Sequence, residues 1–465
     1  MSEESYEMRE RVVRGGLLGK LLTPRGAQLT TGADLALRSS LAVMPQEGVP
    51  PVSVLFEIAR GEYAIYLGRT VNLRYPVYWN PNYLLNQHIC ILGMSGSGKS
   101  FTIKNLVIRM RQKFFPNVLI LDPVGEYSWV VDTLDGVELV LGKNAFINIL
   151  EPPTESTSPF EWAMHLSDIL TKVLELKQAP LQRRVLMEAI TEAYIRHGVT
   201  EDPTTWRRPM PTLADVYGIL REKEDAYVRG QRRDMRRSLV EAISGLSQKL
   251  RPFVSPPGNW FAERSKPRPL RDLARSGVVS INMSGLSQTA QNIINFVVVK
   301  YLELLMREWG IAHGEIRLVL VIDEAWKLLK DEESPVVPIA REARKFGFSM
   351  ILATQNIGDV NPDVLCNIAT IFLMNIQDAE AARRLLKSLG FNEEHYLPRL
   401  AGAGQGEILA KFTWKRPKWL GPVHFRFEGD IEEVWVTVKS PDVPGPEVVV
   451  KNIIAQAFRL RQPRS

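Results

Sequence analysis

Short apolar runs separated by stretches with helical spacing are the main pattern along this chain. Eight runs are short and rich enough in apolar residues to predict buried strands: Gln87–Gly93, Asn117–Asp122, Glu138–Gly142, Gly277–Met283, Arg317–Glu324, Ser349–Gln355, Thr370–Asn375 and Gly406–Phe412. Helical patterns lie between several of these runs. This alternation predicts an α/β fold on a mostly parallel, doubly wound sheet.

Two regions depart from this rhythm. Residues 1–80 contain short alternating stretches, Val52–Ile58 and Glu62–Leu67, and predict a small β-rich N-terminal segment. Residues 151–265 lie between two Pro-Pro pairs and predict an all-helical insertion, with helical spacing over Phe160–Ala179, Leu181–His197, Thr212–Glu222 and Ala226–Leu250. The α/β core is therefore predicted in two parts, 81–150 and 266–430, followed by a C-terminal segment at 431–465.

Composition narrows the class of protein. The chain has 465 residues, enough for two or three domains, and its net charge of +6 is compatible with a polyanionic partner. Its two cysteines, Cys90 and Cys366, exclude a disulfide scaffold. The N-terminus shows no signal-peptide pattern, and the longest apolar run, Ile293–Met306, is interrupted by Lys300 and Glu303. We expect a cytoplasmic protein that reaches the inner face of a membrane through a partner.

The strongest motif is Gly93–Ser100, which has the form G-x-x-x-x-G-K-S between a predicted strand and a helical pattern. We call it the phosphate loop. Glycines let backbone N–H groups turn toward one anion, and a helix N-terminus adds partial positive charge. Lys99 supplies a cation for the β- and γ-phosphates, and the Ser100 hydroxyl is a ligand for Mg²⁺. The predicted nucleotide-binding residues are Ser95, Gly96, Ser97, Gly98, Lys99, Ser100 and Phe101.

A second motif is the apolar run Leu318–Ile322 followed by Asp323 and Glu324. In open α/β sheets, ligands bind at the carboxyl ends of the strands, where these acids would lie. Asp323 is predicted to hold Mg²⁺, and Glu324 to polarise the water that attacks the γ-phosphate. The alternative is a plain buried strand whose acids begin the next helix. The phosphate loop in the same chain favours the site.

Two weaker candidates follow. Gln355 ends the predicted strand Ser349–Gln355, where its amide would meet the attacking water or the γ-phosphate. The basic segment before that strand contains Arg341 and Arg344, and a guanidinium there is a candidate for an arginine finger toward a neighbouring subunit. A solvated basic helix end is the alternative for this segment.

The motifs together resemble the HerA/FtsK superfamily of P-loop pumping ATPases, close to the conjugation and type IV secretion ATPases and to archaeal HerA or CedB-type DNA-import ATPases. The matching segments are Asn86–Gly93, the Asp-x-x-Gly-Glu-Tyr element within Leu121–Tyr127, Ile322–Trp326, Arg341–Gly347, Ala353–Asn356 and Pro211–Asp215.

The resemblance implies a RecA/FtsK-like core in a homo-hexameric ring, with ATP and Mg²⁺ bound between subunits around a central pore. It also implies that Arg344, or alternatively Arg341, acts across the subunit boundary and that Gln355 senses the γ-phosphate. For this superfamily the pore passes DNA or the ring drives secretion. A membrane channel is the partner it suggests.

A direct indication of nucleic acid is a basic stripe at helical spacing, formed by Arg229, Arg232, Arg233, Arg236 and Arg237. Phosphate binding favours such a stripe, but Asp225, Asp234 and Glu241 lie close by, and a solvated helix face is the alternative. No motif for sequence-specific binding is present, so DNA would be held by its backbone. Two functions remain open: a DNA translocase, and an assembly or secretion ATPase that does not pump DNA. Glu324 argues against a third, a nucleotide switch with negligible turnover.

Overall fold

The computed structural model describes residues 52–60, 63–229, 237–255, 261, 270–312, 314–330, 334–415 and 421–429. The strands within these ranges are β1 Ile65–Thr70, β2 Pro76–Trp79, β3 Ile89–Leu92, β4 Asn117–Asp122, β5 Val137–Val140, β6 Val278–Asn282, β7 Leu318–Ile322, β8 Phe348–Thr354, β9 Thr370–Leu373, β10 Glu407–Phe412 and β11 Val423–Phe427. The helices are α1 Val52–Ala59, α2 Lys99–Phe114, α3 Ser128–Thr133, α4 Pro159–Val173, α5 Pro180–Arg196, α6 Leu213–Val228, α7 Arg237–Val254, α8 Leu270–Leu273, α9 Gln288–Glu308, α10 Trp326–Lys330, α11 Val336–Phe346, α12 Pro362–Leu365, α13 Ala379–Ser388 and α14 Glu393–Ala401.

One eleven-stranded sheet organises these elements, in the order β2-β1-β11-β10-β9-β3-β8-β7-β4-β6-β5. From β9 to β5 every neighbouring pair is parallel, and from β2 to β9 every pair is antiparallel. The strands at the centre of the parallel part are buried along their whole length, as expected for a sheet covered by helices on both faces. The predicted mostly parallel α/β fold is confirmed.

All eight predicted strands are present, within a few residues of their predicted limits. The prediction for Val52–Ile58 was wrong, because this stretch forms the helix α1. Its alternating apolar residues include Leu55 and Ile58, which are three positions apart and both buried, a spacing that suits a helix face as well as a strand. The helix is tied to the end of β2, since the Asn80 amide donates to the Ile58 carbonyl at 3.0 Å.

The described residues between β5 and β6 form helices, as predicted, but two helix limits were wrong. The pattern over Phe160–Ala179 ends as a helix at Val173, and Glu175 in the following turn has a φ of 55°, which a right-handed helix does not contain. The next helix, α5, begins at Pro180. The pattern over Ala226–Leu250 belongs to two helices. Residues 226–228 end α6, and α7 begins at Arg237, with residues 230–236 outside the described ranges.

The helical region shares one hydrophobic core with the sheet. Trp162 and Tyr194 of its helices belong to the same buried cluster as Leu92 and Leu121 of the sheet. The joining element is α9, where the Tyr301 ring meets Trp162 edge-on at 5.9 Å. At the other side, β1 and β2 extend the main sheet through β11 rather than forming a sheet of their own. The domain limits given above therefore stay a prediction.

No helix within the described ranges has both the length and the apolar character needed to cross a bilayer.

Candidate nucleotide site

The phosphate loop connects the carboxyl end of β3 to the first turn of α2. Gly96 and Gly98 have φ values of 78° and 101°, in the left-handed region that glycine adopts without strain. Gly98 is the N-cap of α2, so the N–H groups of Lys99, Ser100 and Phe101 have no intrahelical partner. These groups, together with the helix dipole, form a cradle for an anion at this edge of the sheet, which we call the carboxyl edge.

Close packing under the loop explains its glycines. A Cβ atom on Gly93 would lie 2.8 Å from both the Met374 Cβ and the Ser97 Oγ, and one on Gly98 would lie 3.2 Å from the Gly406 backbone nitrogen. The Ser97 carbonyl accepts the Gly406 N–H at 3.0 Å. The loop is therefore held from below by the segments after β9 and before β10.

Four of the predicted nucleotide-binding residues differ in the groups that they present to a ligand. The Ser97 side chain is 4% exposed and points inward, with its Oγ 3.9 Å from the Met374 Sδ. The Phe101 ring packs edge-on against Phe427 at 6.2 Å, so this residue has only its backbone N–H for a phosphate. Ser95 is exposed at the tip of the loop, and Ser100 is partly buried at the start of α2.

Lys99 lies against the loop and is 8% exposed. Its Nζ donates to the Met94 carbonyl at 3.0 Å. Burial lowers the pKa of its ammonium, and the charges of Glu324, Asp323 and Glu126 act in the opposite direction. A cation with little solvent and three nearby carboxylates is placed to meet phosphate oxygens and their metal ion.

Asp323 and Glu324 follow β7, two strands from β3 in the sheet. Burial raises the pKa of the Asp323 carboxyl to about 6. The hydrogen bond that this carboxylate accepts from the Tyr127 hydroxyl, at 2.9 Å, acts to lower the pKa. Glu324 has a φ of 55°, which costs a non-glycine residue on the order of 1 kcal/mol. Its backbone N–H donates to the Asp323 carboxylate at 3.0 Å, and the next N–H, from Ala325, donates to the Ala353 carbonyl at 2.8 Å. These bonds hold the unusual turn that presents the Glu324 side chain.

Burial raises the pKa of Glu324, and the charge of Lys99 counters this rise. The Gln355 backbone N–H donates to the same carboxylate, which brings the end of β8 to the site. Gln355 itself is exposed there. The structure thus brings Lys99, Glu324 and Gln355 together at one edge.

The chemistry of these groups fits a magnesium ion bound with a nucleotide. Within the described residues, no group of three or more His, Cys, Asp or Glu side chains would hold a metal alone. Mg²⁺ in such sites is completed by phosphate oxygens and water, so one hydroxyl and one carboxylate from the protein suffice. Ser100 and Asp323 are the predicted pair.

Arg344 does not lie at the carboxyl edge with the other predicted site residues. It is exposed near the C-terminal end of α11, and its guanidinium donates to the Leu85 carbonyl at 3.1 Å, ahead of β3. Seven-residue β8 separates this amino edge of the sheet from the carboxyl edge, a span of about 20 Å. Arg341 is also exposed and donates to the Asn367 side chain at 3.1 Å. Neither guanidinium reaches the phosphate loop of its own chain.

The basic stripe is described only at its two ends. Arg229 is the C-terminal capping residue of α6, and Arg237 is the first residue of α7, where it pairs with Glu241 at 3.0 Å. Arg232, Arg233 and Arg236 lie outside the described residues.

The sequence interpretation gave no role to the segment after β4. Asp122, Glu126 and Lys104 lie beside the predicted site, and Tyr127 contacts Asp323 directly. The available signal was the element Asp-x-x-Gly-Glu-Tyr at the end of a buried strand. This element could be assigned to the site only once β4 was known to lie next to β7.

Comparison with known proteins identifies the family of this chain. A family model described as "Helicase HerA, central domain" matches residues 65–302, about half of the chain. The chain belongs to this family.

The chain is 23% identical over 369 residues to the DNA import protein CedB of Sulfolobus acidocaldarius, covering 75% of this chain and 54% of that protein. It is 21% identical over 373 residues to the DNA double-strand break repair helicase HerA of Pyrococcus furiosus, covering 70% and 63%. The chain therefore spans between about half and two thirds of the length of these curated relatives.

Solved structures show the same fold. VirB4 of Thermoanaerobacter pseudethanolicus aligns with a TM-score of 0.61 at 22% identity, covering 80% of this chain and 98% of that one. The bacterial conjugative coupling protein TrwB aligns with a TM-score of 0.58 at 12% identity, covering 82% and 92%. At these identities the likeness establishes the fold alone. The family resemblance and the fold class inferred from the motifs are both confirmed.

Proposed function

We propose that this protein is an ATP hydrolase that moves DNA through the central pore of a homo-hexameric ring. The observation that carries the proposal is the meeting of Lys99, Asp323 and Glu324 at the carboxyl edge, in a chain of the HerA central-domain family. A phosphate cradle, a buried cation and two carboxylates are the parts that phosphoryl transfer to water requires.

Each residue has a distinct task in this proposal. Backbone N–H groups of the phosphate loop and the Lys99 ammonium bind the phosphates. Ser100 and Asp323 would hold Mg²⁺, which would supply positive charge next to the phosphate oxygens. Glu324 accepts the proton of the attacking water, a role that its raised pKa favours. Gln355 orients the water or the γ-phosphate from the end of β8.

The ring completes the site. Arg344 is proposed as the finger that reaches the nucleotide of the next subunit, with Arg341 as the alternative. Its position at the amino edge supports this role, since it is a strand length away from its own phosphate loop. A contact between the carboxyl edge of one copy and the amino edge of the next is head-to-tail, and such contacts close into rings when the rotation permits.

The relatives favour DNA as the moved polymer. CedB is described as a DNA import protein and HerA as a helicase of double-strand break repair. We propose that DNA is held by its backbone without sequence specificity and that the ring acts in the cytoplasm, docked to a membrane channel partner. The second candidate is an assembly or secretion ATPase that does not pump DNA, which the resemblance of the motifs also implies.

Steady-state ATP hydrolysis with and without DNA tests the proposal. We expect hydrolysis by the parent protein, its abolition in Lys99→Ala, and stimulation that grows with the length of duplex or single-stranded DNA. Hydrolysis without any DNA effect, at low salt and with rings present, would favour the secretion ATPase. No hydrolysis by the parent under any of these conditions would refute both functions.

A further inference from the structure

The loop after β4 is fixed from three directions. The Asp122 carboxylate accepts the backbone N–H groups of Val124, Gly125 and Tyr127 at 3.2, 2.7 and 3.0 Å. The Gln291 amide of α9 donates to the Pro123 carbonyl at 3.1 Å. The Tyr127 side chain is fully buried with its hydroxyl on Asp323. A surface loop with so many constraints is suited to present a side chain in a fixed position.

Gly125 also helps to fix the backbone of this loop. Gly125 has a φ of 87°, and a Cβ atom there would lie 2.9 Å from the Asn282 Nδ2. The left-handed turn packs the loop backbone onto the end of β6. The residue that follows this turn is Glu126.

Glu126 meets α2, the helix that begins at Lys99 of the phosphate loop. Its carboxylate lies 3.7 Å from the Nζ of Lys104, a residue of α2 that is 6% exposed and lies over the rings of Tyr127 and Trp129 at 5.7 and 5.8 Å. Within the described part of the chain, Lys104 is the side chain with which the Glu126 carboxylate pairs, and the separation exceeds a hydrogen bond. The carboxylate therefore keeps free acceptor positions and is 38% exposed.

The charge of Glu126 acts on three groups of the predicted site. Its negative charge acts on the pKa values of Lys99, Asp323 and Glu324, in each case upward. Like charges in one region repel, and a nearby cation lowers that repulsion. Lys104 offsets part of this repulsion, and the free acceptor positions of the Glu126 carboxylate suit it to accept hydrogen bonds.

We propose that Glu126 is a positioning residue whose carboxylate, held by Lys104, orients water ligands of the magnesium ion bound with the nucleotide. The inference rests on the proposed function, because it assumes a nucleotide at the phosphate loop. It assigns to Lys104 a purpose beyond folding, since this buried cation keeps the carboxylate near the metal site.

Binding of a fluorescent ADP by the nucleotide-free protein tests this role without turnover. For Glu126→Gln we expect the half-saturating Mg²⁺ concentration to rise about tenfold, as for loss of one charge-assisted hydrogen bond. With EDTA in place of Mg²⁺, ADP affinity should be unchanged or higher, because a negative charge near the phosphates is gone. A purely structural role would lower ADP affinity in both conditions.

A double-mutant cycle isolates the part of Lys104. We expect Lys104→Met to raise the half-saturating Mg²⁺ concentration by less than Glu126→Gln, and to add nothing in the Glu126→Gln background. If Glu126→Gln is unfolded by thermal melting, Glu126→Asp keeps the charge but withdraws it by one methylene, and a smaller shift of the same sign is expected.

Glu303→Gln is the matched control, because Glu303 forms a buried pair with Lys300 at 2.9 Å on α9. Its Mg²⁺ curve should follow the parent. An unchanged Mg²⁺ curve for Glu126→Gln, or an equal loss of ADP affinity with and without Mg²⁺, would overturn the inference while leaving the nucleotide site intact. A parent protein that binds no ADP would instead refute the proposed function itself.

Discussion

Replacing Asp323 by Asn should stabilise the nucleotide-free protein while it removes magnesium binding. The Asp323 carboxyl has a pKa of about 6 in the folded protein against an ordinary value of 3.8, because burial penalises its charge. Two pKa units correspond to about 3 kcal/mol of unfavourable free energy once the group is ionised in both states. Asn carries no charge, and it keeps both contacts if its carbonyl oxygen accepts the Glu324 N–H while its amide donates to the Tyr127 hydroxyl oxygen, so this cost should disappear.

The sign of the pH dependence follows from the raised pKa. The folded state binds this proton more tightly than the unfolded state, so the parent loses stability as pH rises from about 3.8 to 6 and loses no more above that range. About half of the cost is present at pH 5 and all of it at pH 8. The gain from Asp323→Asn should therefore be about 1.5 kcal/mol at pH 5 and about 3 kcal/mol at pH 8.

Denaturant unfolding of the nucleotide-free parent and variant at these two pH values measures the difference. Asp168→Asn is a suitable control, because its side chain is 73% exposed beside Arg183 and its removal should give no gain that grows with pH. A variant no more stable than the parent at pH 8, or a gain equal at both pH values, would refute the reasoning. Mg²⁺-dependent ADP binding should be lost in the same variant.

Three further outcomes are expected. Glu324→Gln should bind ATP and Mg²⁺ but stall, since only the proton acceptor is lost; hydrolysis within a few-fold of the parent would contradict this assignment. Arg344→Ala should be inactive alone but regain activity when mixed with Lys99→Ala, because some interfaces then pair an intact loop with an intact finger. No recovery in rings shown by mass to be mixed would contradict action across the subunit boundary. Replacing four arginines of the basic stripe by alanine should weaken DNA binding and reduce the slope of log affinity against log salt concentration. The four are Arg232, Arg233, Arg236 and Arg237. An unchanged slope would indicate that they lie on a solvated surface and do not contact DNA.

The parallel half of the fold could be predicted from the sequence because its strands are buried on both faces. Runs such as Val118–Leu121 and Leu318–Ile322 are apolar at every position, and few other structures suit them. The antiparallel half was harder. Pro76–Trp79 and Val423–Phe427 were missed because short alternating segments are weak signals, and Val52–Ile58 fitted a strand and a helix equally well.

The residues of the site also divide into those that could be predicted from the sequence and those that could not. The phosphate loop and the Asp323–Glu324 pair are local motifs whose chemistry can be inferred from adjacent letters. Tyr127, Lys104 and Glu126 act through contacts between elements that are far apart in sequence, so their roles required the order of strands. Arg344 is an intermediate case, because its motif was visible but its distance from its own phosphate loop was not.

The order of strands also determines when the site can form during synthesis. The strand that carries the phosphate loop, β3, pairs on one side with β8 and on the other with β9, both more than two hundred residues later in the chain. At ribosomal rates this delay is on the order of tens of seconds. During that time the loop has no neighbouring strands to hold it, and Asp323 is made only near the end of the delay. A chain cut short before β8 is therefore expected to bind no nucleotide, which excludes unfinished subunits from ATP-dependent assembly.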